Sequence, residues 1–597
     1  MSPNPSPESS AWRRAGVALV EKAISELSYE ELLVPTPAGE RGHWRLRLAS
    51  GAEYRFVARR GGFGSWHVQP GSVRRAGGDG TPSDPVQLVR DARTELGLDG
   101  PTLAEVVREL RATQAADVTL LRRSLRAKEL ADLDYVDLES HMTGHPCLVL
   151  SKGRLGFSSS DLRRYAPEHA PDLRLEWCAV HHDLGGYDAV DGLDLHTLLA
   201  HELDEPTRDL FGGRLTQEVG AAAVDDYVWL PVHPWQWAHV VETLFAAELA
   251  DGRIVHLGTG PDRYRPLQSI RTLANIDRPD RHNVKLPLMI RNTLVWRGLG
   301  TTATAACADV TAFLHRLRDD DPFLQESGIV PLGEVASVAV EHPVYHDERD
   351  VPYRYHELLG AVWREPVTAR LAPGERARTM AALLHVDDDG RALVAELVER
   401  SGLPAREWLR ELFAALLPGL LHYLYRYGVA FCPHGENVVV LYDDADVPRR
   451  VAVKDFAEDV NLLPHDLPEY AHLTPRADAV LHRWPARELA HSILSAVGAG
   501  HLRHLAPLVR DQLGVDEPAL WSLAREQVER YQARLPELAE RYDEFGLLEA
   551  TVERVCLNRE QLTGGGFHDR AERDEGFDEL HGSVPNPLAQ GTWEERA

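Results

Sequence analysis

The spacing of apolar residues changes character along the chain. Val17, Leu19, Val20, Ala23, Ile24 and Leu27 recur at helical spacing and predict an amphipathic helix over 11–34. Trp44, Leu46 and Leu48 then alternate with polar residues. Ser50-Gly51 supplies a turn, and Tyr54, Phe56 and Ala58 alternate back, which is a hairpin pattern. Residues 101–130 have helical composition. In the middle third, 227–230, the alternating run Val284/Leu286/Leu288/Ile290 and 335–340 read as buried strands. From 379 the pattern turns helical. Leu409, Leu412, Phe413, Leu416, Leu417, Leu420, Leu421 and Leu424 predict a buried helix over 406–427, whose role is core packing. A short β unit follows: an apolar strand at 438–441, turn chemistry at 443–448 and a return at 451–453. Helices are expected from 485 to 563, before a polar, Gly-rich tail. The reading is an α+β, multidomain chain with units at 1–140, 141–375 and 376–597.

Composition narrows the partners more than the fold. The chain has 597 residues, 44% hydrophobic and 26% charged, which is ordinary for a globular protein. A net charge of -27 argues against a nucleic-acid binder, which would carry a basic face. The five cysteines form no CxxC pair, so neither a zinc ribbon nor a disulfide framework is indicated. The opening MSPNPSPESS reads as a disordered tail without the features of a signal peptide. No apolar stretch has the length of a membrane span, so a cytoplasmic location is expected.

Two distant groups of residues carry the candidate chemistry. Ser269-Ile270-Arg271-Thr272, Lys285, Thr293 and Arg297 bring hydroxyls and fixed cations. His434-Gly435-Glu436-Asn437 and Lys454-Asp455 bring an imidazole, an amide and carboxylates. Cations and hydroxyls suit a polyphosphate, and Asn, Asp and Glu oxygens suit Mg²⁺. If the hairpin turns near Ala445-Asp446, Asn437 falls roughly opposite Asp455. The same pair can also simply cap a turn. Lys285, Thr293 and Arg297 share a parity with the apolar Leu286, Leu288 and Ile290. Either a bulge shifts the register, or the strand is buried on both faces with cations at its ends.

A third cluster holds Glu139-Ser140-His141, Gly144-His145-Pro146, Lys152, Arg154, Gly156-Phe157 and Tyr165-Ala166-Pro167-Glu168. It reads either as a tight loop with exposed charge or as an anion site, with Lys152 and Arg154 after a short apolar strand. The tryptophans of His233-Pro234-Trp235-Gln236-Trp237 are assigned to the core. Neither a GxxxxGK[ST] phosphate loop, a GxGxxG fingerprint, an HExxH helix nor a GxSxG elbow occurs.

The order GHP, K-x-R-x-GF, YAPE, HPWQ, S-x-R-T with Lys and Arg, HGEN and KD resembles the NRPS-independent siderophore synthetases, the IucA/IucC family. The likeness runs from about residue 50 to about 590. It implies a cupped hand of thumb (1–140), fingers (141–375) and palm (376–597). It also implies Mg-ATP-driven acyl-adenylate formation, attack by an amine or hydroxyl, and a homodimer. Carried over by motif, Ser269, Arg271 and Thr272 would contact the nucleotide. Lys285, Thr293 and Arg297 would hold the phosphates, and His434 would sit by the carboxylate and α-phosphate. Asn437, Asp455 and Glu436 would serve Mg²⁺, with Arg297 and His434 nearest the chemistry.

Glu436 stands where many citrate-activating members have Gln, and Cys432 where they have Glu. P-H-G-E-N, the Cys556–Leu562 segment CLNREQL and Asn586-Pro587-Leu588 resemble the desferrioxamine-type branch instead. The 564–566 glycines and acidic 571–579 stretch fit that branch less well. His145, Lys152 and Arg559 are the expected substrate contacts. The resulting expectation is a ligase joining N-hydroxy-N-succinyl diamines, with a citryl monoamide as the alternative donor. A kinase-like phosphotransferase is disfavoured because His434 and Asn437 leave no room for a catalytic-loop Asp. An iron-siderophore binder or reductase would be favoured by clustered cysteines, which are missing.

Overall fold

A computed structural model describes residues 7–78, 80–348, 350–562 and 580–589. The first helix, α1 (Pro7–Tyr29), buries Val20, Ile24 and Leu27. Pro7-Glu8-Ser9-Ser10, expected in the tail, form its first turn. It ends before the expected limit because Glu31 takes a left-handed φ of 58°, which a continuing helix excludes. The predicted hairpin is present as β1 (His43–Arg47) and β2 (Glu53–Arg60), with Leu46 opposite Tyr54. They belong to a five-stranded sheet, in which β3 (Trp66–Val68) pairs with β2 at the edge. Helix α2 (Gly100–Arg122) starts on an Asp99 cap and packs against α1.

The middle of the chain builds two sheets. One has three strands, with β4 (Glu176–His181) between β5 (Tyr227–Val232) and β6 (Ile254–Thr259). The other has six and contains β7 (Thr272–Asn275) and β8 (Asn283–Lys285). The single strand expected through Val284–Ile290 is in fact two. Pro287 offers no N–H to a ladder, and the chain leaves the six-stranded sheet there. It resumes as a separate hairpin, β9 (Leu288–Asn292) and β10 (Val295–Arg297), with a register shift between Leu288 and Arg291. This removes the parity conflict, since Lys285 closes one strand while Thr293 lies in the turn of another hairpin and Arg297 ends its second strand. Helix α3 (Thr301–Asp320) follows, then β11 (Glu334–Val340) and β12 (Leu359–Arg364), which complete the sheet around β8.

In the last third, β13 (Arg376–Thr379) pairs with β14 (Val438–Tyr442), and β14 with β15 (Pro448–Val453). The predicted buried helix is α4 (Ala405–Tyr427), and every apolar residue that predicted it is buried. Helices α5 (Arg503–Leu513) and α6 (Glu517–Arg534) complete the packing. One apolar core joins the two ends of the chain, from Val20 to Leu588. A second, from Phe157 to Trp363, belongs to the middle and includes Trp235 and Trp237, as assigned. The 564–566 and 571–579 stretches lie outside the described residues. Among the described residues no helix is long and apolar enough to cross a membrane.

Candidate active site

The two distant motif groups meet across one cavity of about 340 Å³. Lys285, buried at the end of β8, reaches across to the loop after β15. Its Nζ lies 2.9 Å from Asp455 Oδ1 and 3.5 Å from Glu334 Oε1. Arg364 of β12 approaches the same Asp455 oxygen at 3.3 Å. Burial opposes ionisation of Asp455, but Lys285, Arg364 and Lys454 outweigh it and hold its carboxyl well below the usual range. Burial likewise opposes the Lys285 charge, yet Asp455 and Glu334 leave its pKa raised. The floor of the cavity is therefore fixed ions held by one another, which need little rearrangement to meet a polyphosphate.

The S-x-R-T segment is a turn leading into β7. Thr272 N donates to Ser269 Oγ at 3.3 Å, and Arg271 donates to Gly298 O and to Glu458 Oε2. Arg297 Nη2 donates to Thr293 Oγ1 at 2.7 Å across the β9–β10 turn. Among the described residues, four of the eight non-glycine residues with positive φ sit here: Arg154, Ile270, Thr293 and Asp455. For a β-branched residue such as Ile270 this conformation costs of order 1–3 kcal/mol and concentrates at functional sites.

The H-G-E-N turn is built by its own backbone. Asn437 N and Val438 N both donate to His434 O, and Glu436 N donates to His434 Nδ1 at 3.2 Å. Gly435 is closely packed: a Cβ there would lie 3.0 Å from His501 Nδ1 and 3.3 Å from Ala381 Cα, so a side chain would require these neighbours to give way. Burial lowers the His434 pKa, partly offset by Glu436. Asn437 lies opposite Lys454, whose N–H donates to Asn437 O, so the expected facing of Asn437 and Asp455 is one residue out of register. The strands register Val438 with Val453, and Asp455 falls just beyond the ladder at φ 65°.

The donor set fits a hard cation. Asn437 spends its amide nitrogen on Cys432 O and Asp459 Oδ2, which leaves Oδ1 as its remaining ligand atom. Glu436, Asp455 and Asp459 line the same cavity. Asp459, Glu458 and Glu334 were missed from sequence. The run of acids after Lys454-Asp455 was the available signal for the first two; Glu334 had none.

His145 and Lys152 also line the cavity. The apolar strand expected before Lys152 is absent, and 149–152 form a turn. Lys152 Nζ is 2.7 Å from Asp117 and donates to Thr143 O, while Arg154 pairs with Glu168. Arg559, expected at a substrate carboxylate, is not among the lining residues. Its backbone N–H donates to Glu30 Oε2 at 2.7 Å and its guanidinium donates to Glu30 O at 3.2 Å. Its neighbour Asn558 is the structural residue of that segment, accepting from Val149 N and donating to Cys147 O. The H-P-W-Q motif acts from behind, with Gln236 accepting from Met289 N in β9 and donating to Leu358 O.

A solved structure of aerobactin synthetase IucC from a hypervirulent pathotype of Klebsiella pneumoniae superposes with a TM-score of 0.85 at 33% identity. It covers 97% of this chain and 98% of that one. The fold is that of an ATP-using ligase which forms carbon–nitrogen bonds. Residues 134–385 match the IucA / IucC family, and 406–568 match a family described as ferric iron reductase FhuF-like transporter. Rhizobactin siderophore biosynthesis protein RhbF of Rhizobium meliloti is 35% identical over 581 residues, 97% of this chain and 96% of that protein. Putrebactin synthase of a Shewanella species is 32% identical over 587 residues, 97% of this chain and 91% of its own. The chain belongs to the IucA/IucC family of NRPS-independent siderophore synthetases. None of its five cysteines forms a disulfide and four are buried, and among the described residues none gathers with other cysteines as an iron–sulfur centre would require.

Proposed function

We propose that this cavity adenylates the carboxylate of an N-hydroxy-N-succinyl diamine and then forms an amide with an amine. The carboxylate oxygen attacks the α-phosphorus of ATP and pyrophosphate leaves. The amine then attacks the acyl carbon and AMP leaves. The observation that carries this reading is the Lys285–Asp455 contact, which joins the S-x-R-T and H-G-E-N groups around one volume. Attack of one anion on another needs fixed positive charge, which Lys285, Arg297 and Arg271 supply. Ser269, Thr272 and Thr293 would bind the nucleotide, and His434 would sit by the reacting carboxylate with His145 and Lys152. Asn437, Asp455 and Glu436, with Asp459, would hold Mg²⁺, which would screen phosphate charge. Glu436 and the P-H-G-E-N pattern support the succinylated donor of the desferrioxamine-type branch. A homodimer in the cytoplasm completes the proposal, and light scattering after gel filtration checks the assembly. Mass spectrometry of products from ATP with succinylated hydroxy-diamines and with citryl monoamides tests the donor. Amide formed only from citryl compounds would overturn it.

A further inference from the structure

A second cavity of about 700 Å³ lies between α1, β3, α2 and α5. Its walls mix apolar side chains, among them Leu19, Trp66, Val68, Leu121 and Leu508, with polar and charged ones such as Glu21, Arg59 and His504. It shares Gly144, Ser151 and Lys152 with the nucleotide cavity. A gap of about 40 Å³, bounded by His145, Pro146, His434 and His501, lies between the two. That volume suits a single small polar group.

Two ammonium groups hold the shared wall. Lys22 Nζ donates to His145 O at 2.7 Å, and Lys152 Nζ donates to Thr143 O. Several ions around the cavity are paired, Lys152 with Asp117, Arg503 with Glu26 and Arg510 with Asp511. A guest meets the apolar side chains on this wall, with Glu21, Arg59 and His504 beside them, and a narrow polar opening beyond.

We propose that this second cavity takes the aliphatic chain of the acceptor amine and delivers its nitrogen through the His145–Pro146 gap to the acyl-adenylate. The inference rests on the ligase reading above. The nitrogen forms the new C–N bond, the acyl C–O bond to phosphate breaks with its electron pair leaving on AMP, and the amine proton passes to water. Burial, with help from Lys152, lowers the Lys22 pKa to about 8, so this wall disfavours an ammonium charge. Only the neutral form of an amine can attack.

Ala18 lines the cavity from the exposed side of α1, so Ala18→Trp fills it without disturbing the core. Leu121→Trp adds bulk to the cavity from a half-buried position on α2. The assay uses ATP with N-hydroxy-N-succinyl cadaverine, or a citryl monoamide if that is the donor which supports exchange. Three rates are compared: carboxylate-dependent ATP–pyrophosphate exchange, trapping of the adenylate by hydroxylamine, and amide formation with cadaverine. Both variants are expected to keep exchange and trapping within about twofold while kcat/KM for cadaverine falls at least about tenfold. Unchanged amide formation in both folded variants overturns the inference and leaves the ligase reading standing. Absence of exchange in the unmodified protein with either donor overturns the ligase reading itself, and the inference with it.

Discussion

His233 and His434 each accept the backbone N–H two residues ahead through Nδ1, at 3.1 and 3.2 Å. Each, when neutral, therefore carries its proton on Nε2. Around His233 the volume is closed: Trp235 and Tyr165 pack nearby, and burial lowers its pKa to about 3. Around His434 the volume opens into the cleft, with His145 6.1 Å away between ring centres. Local motif geometry is the same in both. Function follows from what lies opposite, which is an apolar core in one case and fixed cations with oxygen donors in the other. The closed turn still serves the open one, because Gln236 ties β9 and Leu358 in place behind the cation hairpin.

The sharpest way to break this comparison is at the open site. Arg297→Ala is expected to lower carboxylate-dependent pyrophosphate exchange by at least about 10³-fold, the scale of losing a charge-stabilising group in a water-poor cleft. Retained exchange would remove Arg297 from the adenylation step. Asp455→Asn comes next. The Mg²⁺ concentration for half-maximal activity should rise about tenfold, read by metal titration at fixed ATP. The same variant alters acid stability. Asp455 ionises more readily in the folded chain than in the unfolded one, so its contribution is present at neutral pH. It is lost as pH falls below the unfolded value of about 3.9 and through the folded one. A melting series should therefore show a shallower acid limb in Asp455→Asn; an identical limb would mean the Lys285 pairing adds nothing.

The closed turn should respond in the opposite manner. Gln236→Leu leaves the Met289 N–H and Leu358 carbonyl without partners, which costs about 1–3 kcal/mol of stability. Its effect on ATP use should be only a few-fold rise in KM, through a looser β9–β10 hairpin. His233→Gln should be smallest in activity, changing exchange less than about threefold while lowering the melting temperature. A large activity loss with normal melting would mean that the two turns are not functionally distinct.

Period and turn chemistry were enough to find the β1–β2 hairpin, α4 and the β14–β15 hairpin, because each writes its contacts within a few residues. The strand through 284–290 was misread because its apolar alternation continues across Pro287, while a missing backbone donor ends the ladder there. The Asn437–Asp455 facing was nearly right, but one residue of register decides which side chain meets the partner strand. Ordered motifs brought Lys285 and Asp455 into one expectation across a long separation. Glu334, Arg364 and Asp459 were not legible in that way. They are ordinary charged residues until β11 and β12 set the first two beside Lys285 and Asp455, and the loop after β15 sets Asp459 beside Asn437. Arg559 shows the converse, a suggestive residue whose neighbour Asn558 makes the braces that matter.

The most direct measurement is the nucleotide product of a single turnover with the carboxylate and amine substrates present. The account expects AMP and pyrophosphate in equal amounts, with exchange of labelled pyrophosphate into ATP requiring the carboxylate alone. ADP with a phosphorylated acceptor would contradict it, and would turn the same cations and oxygen donors into a phosphotransferase site.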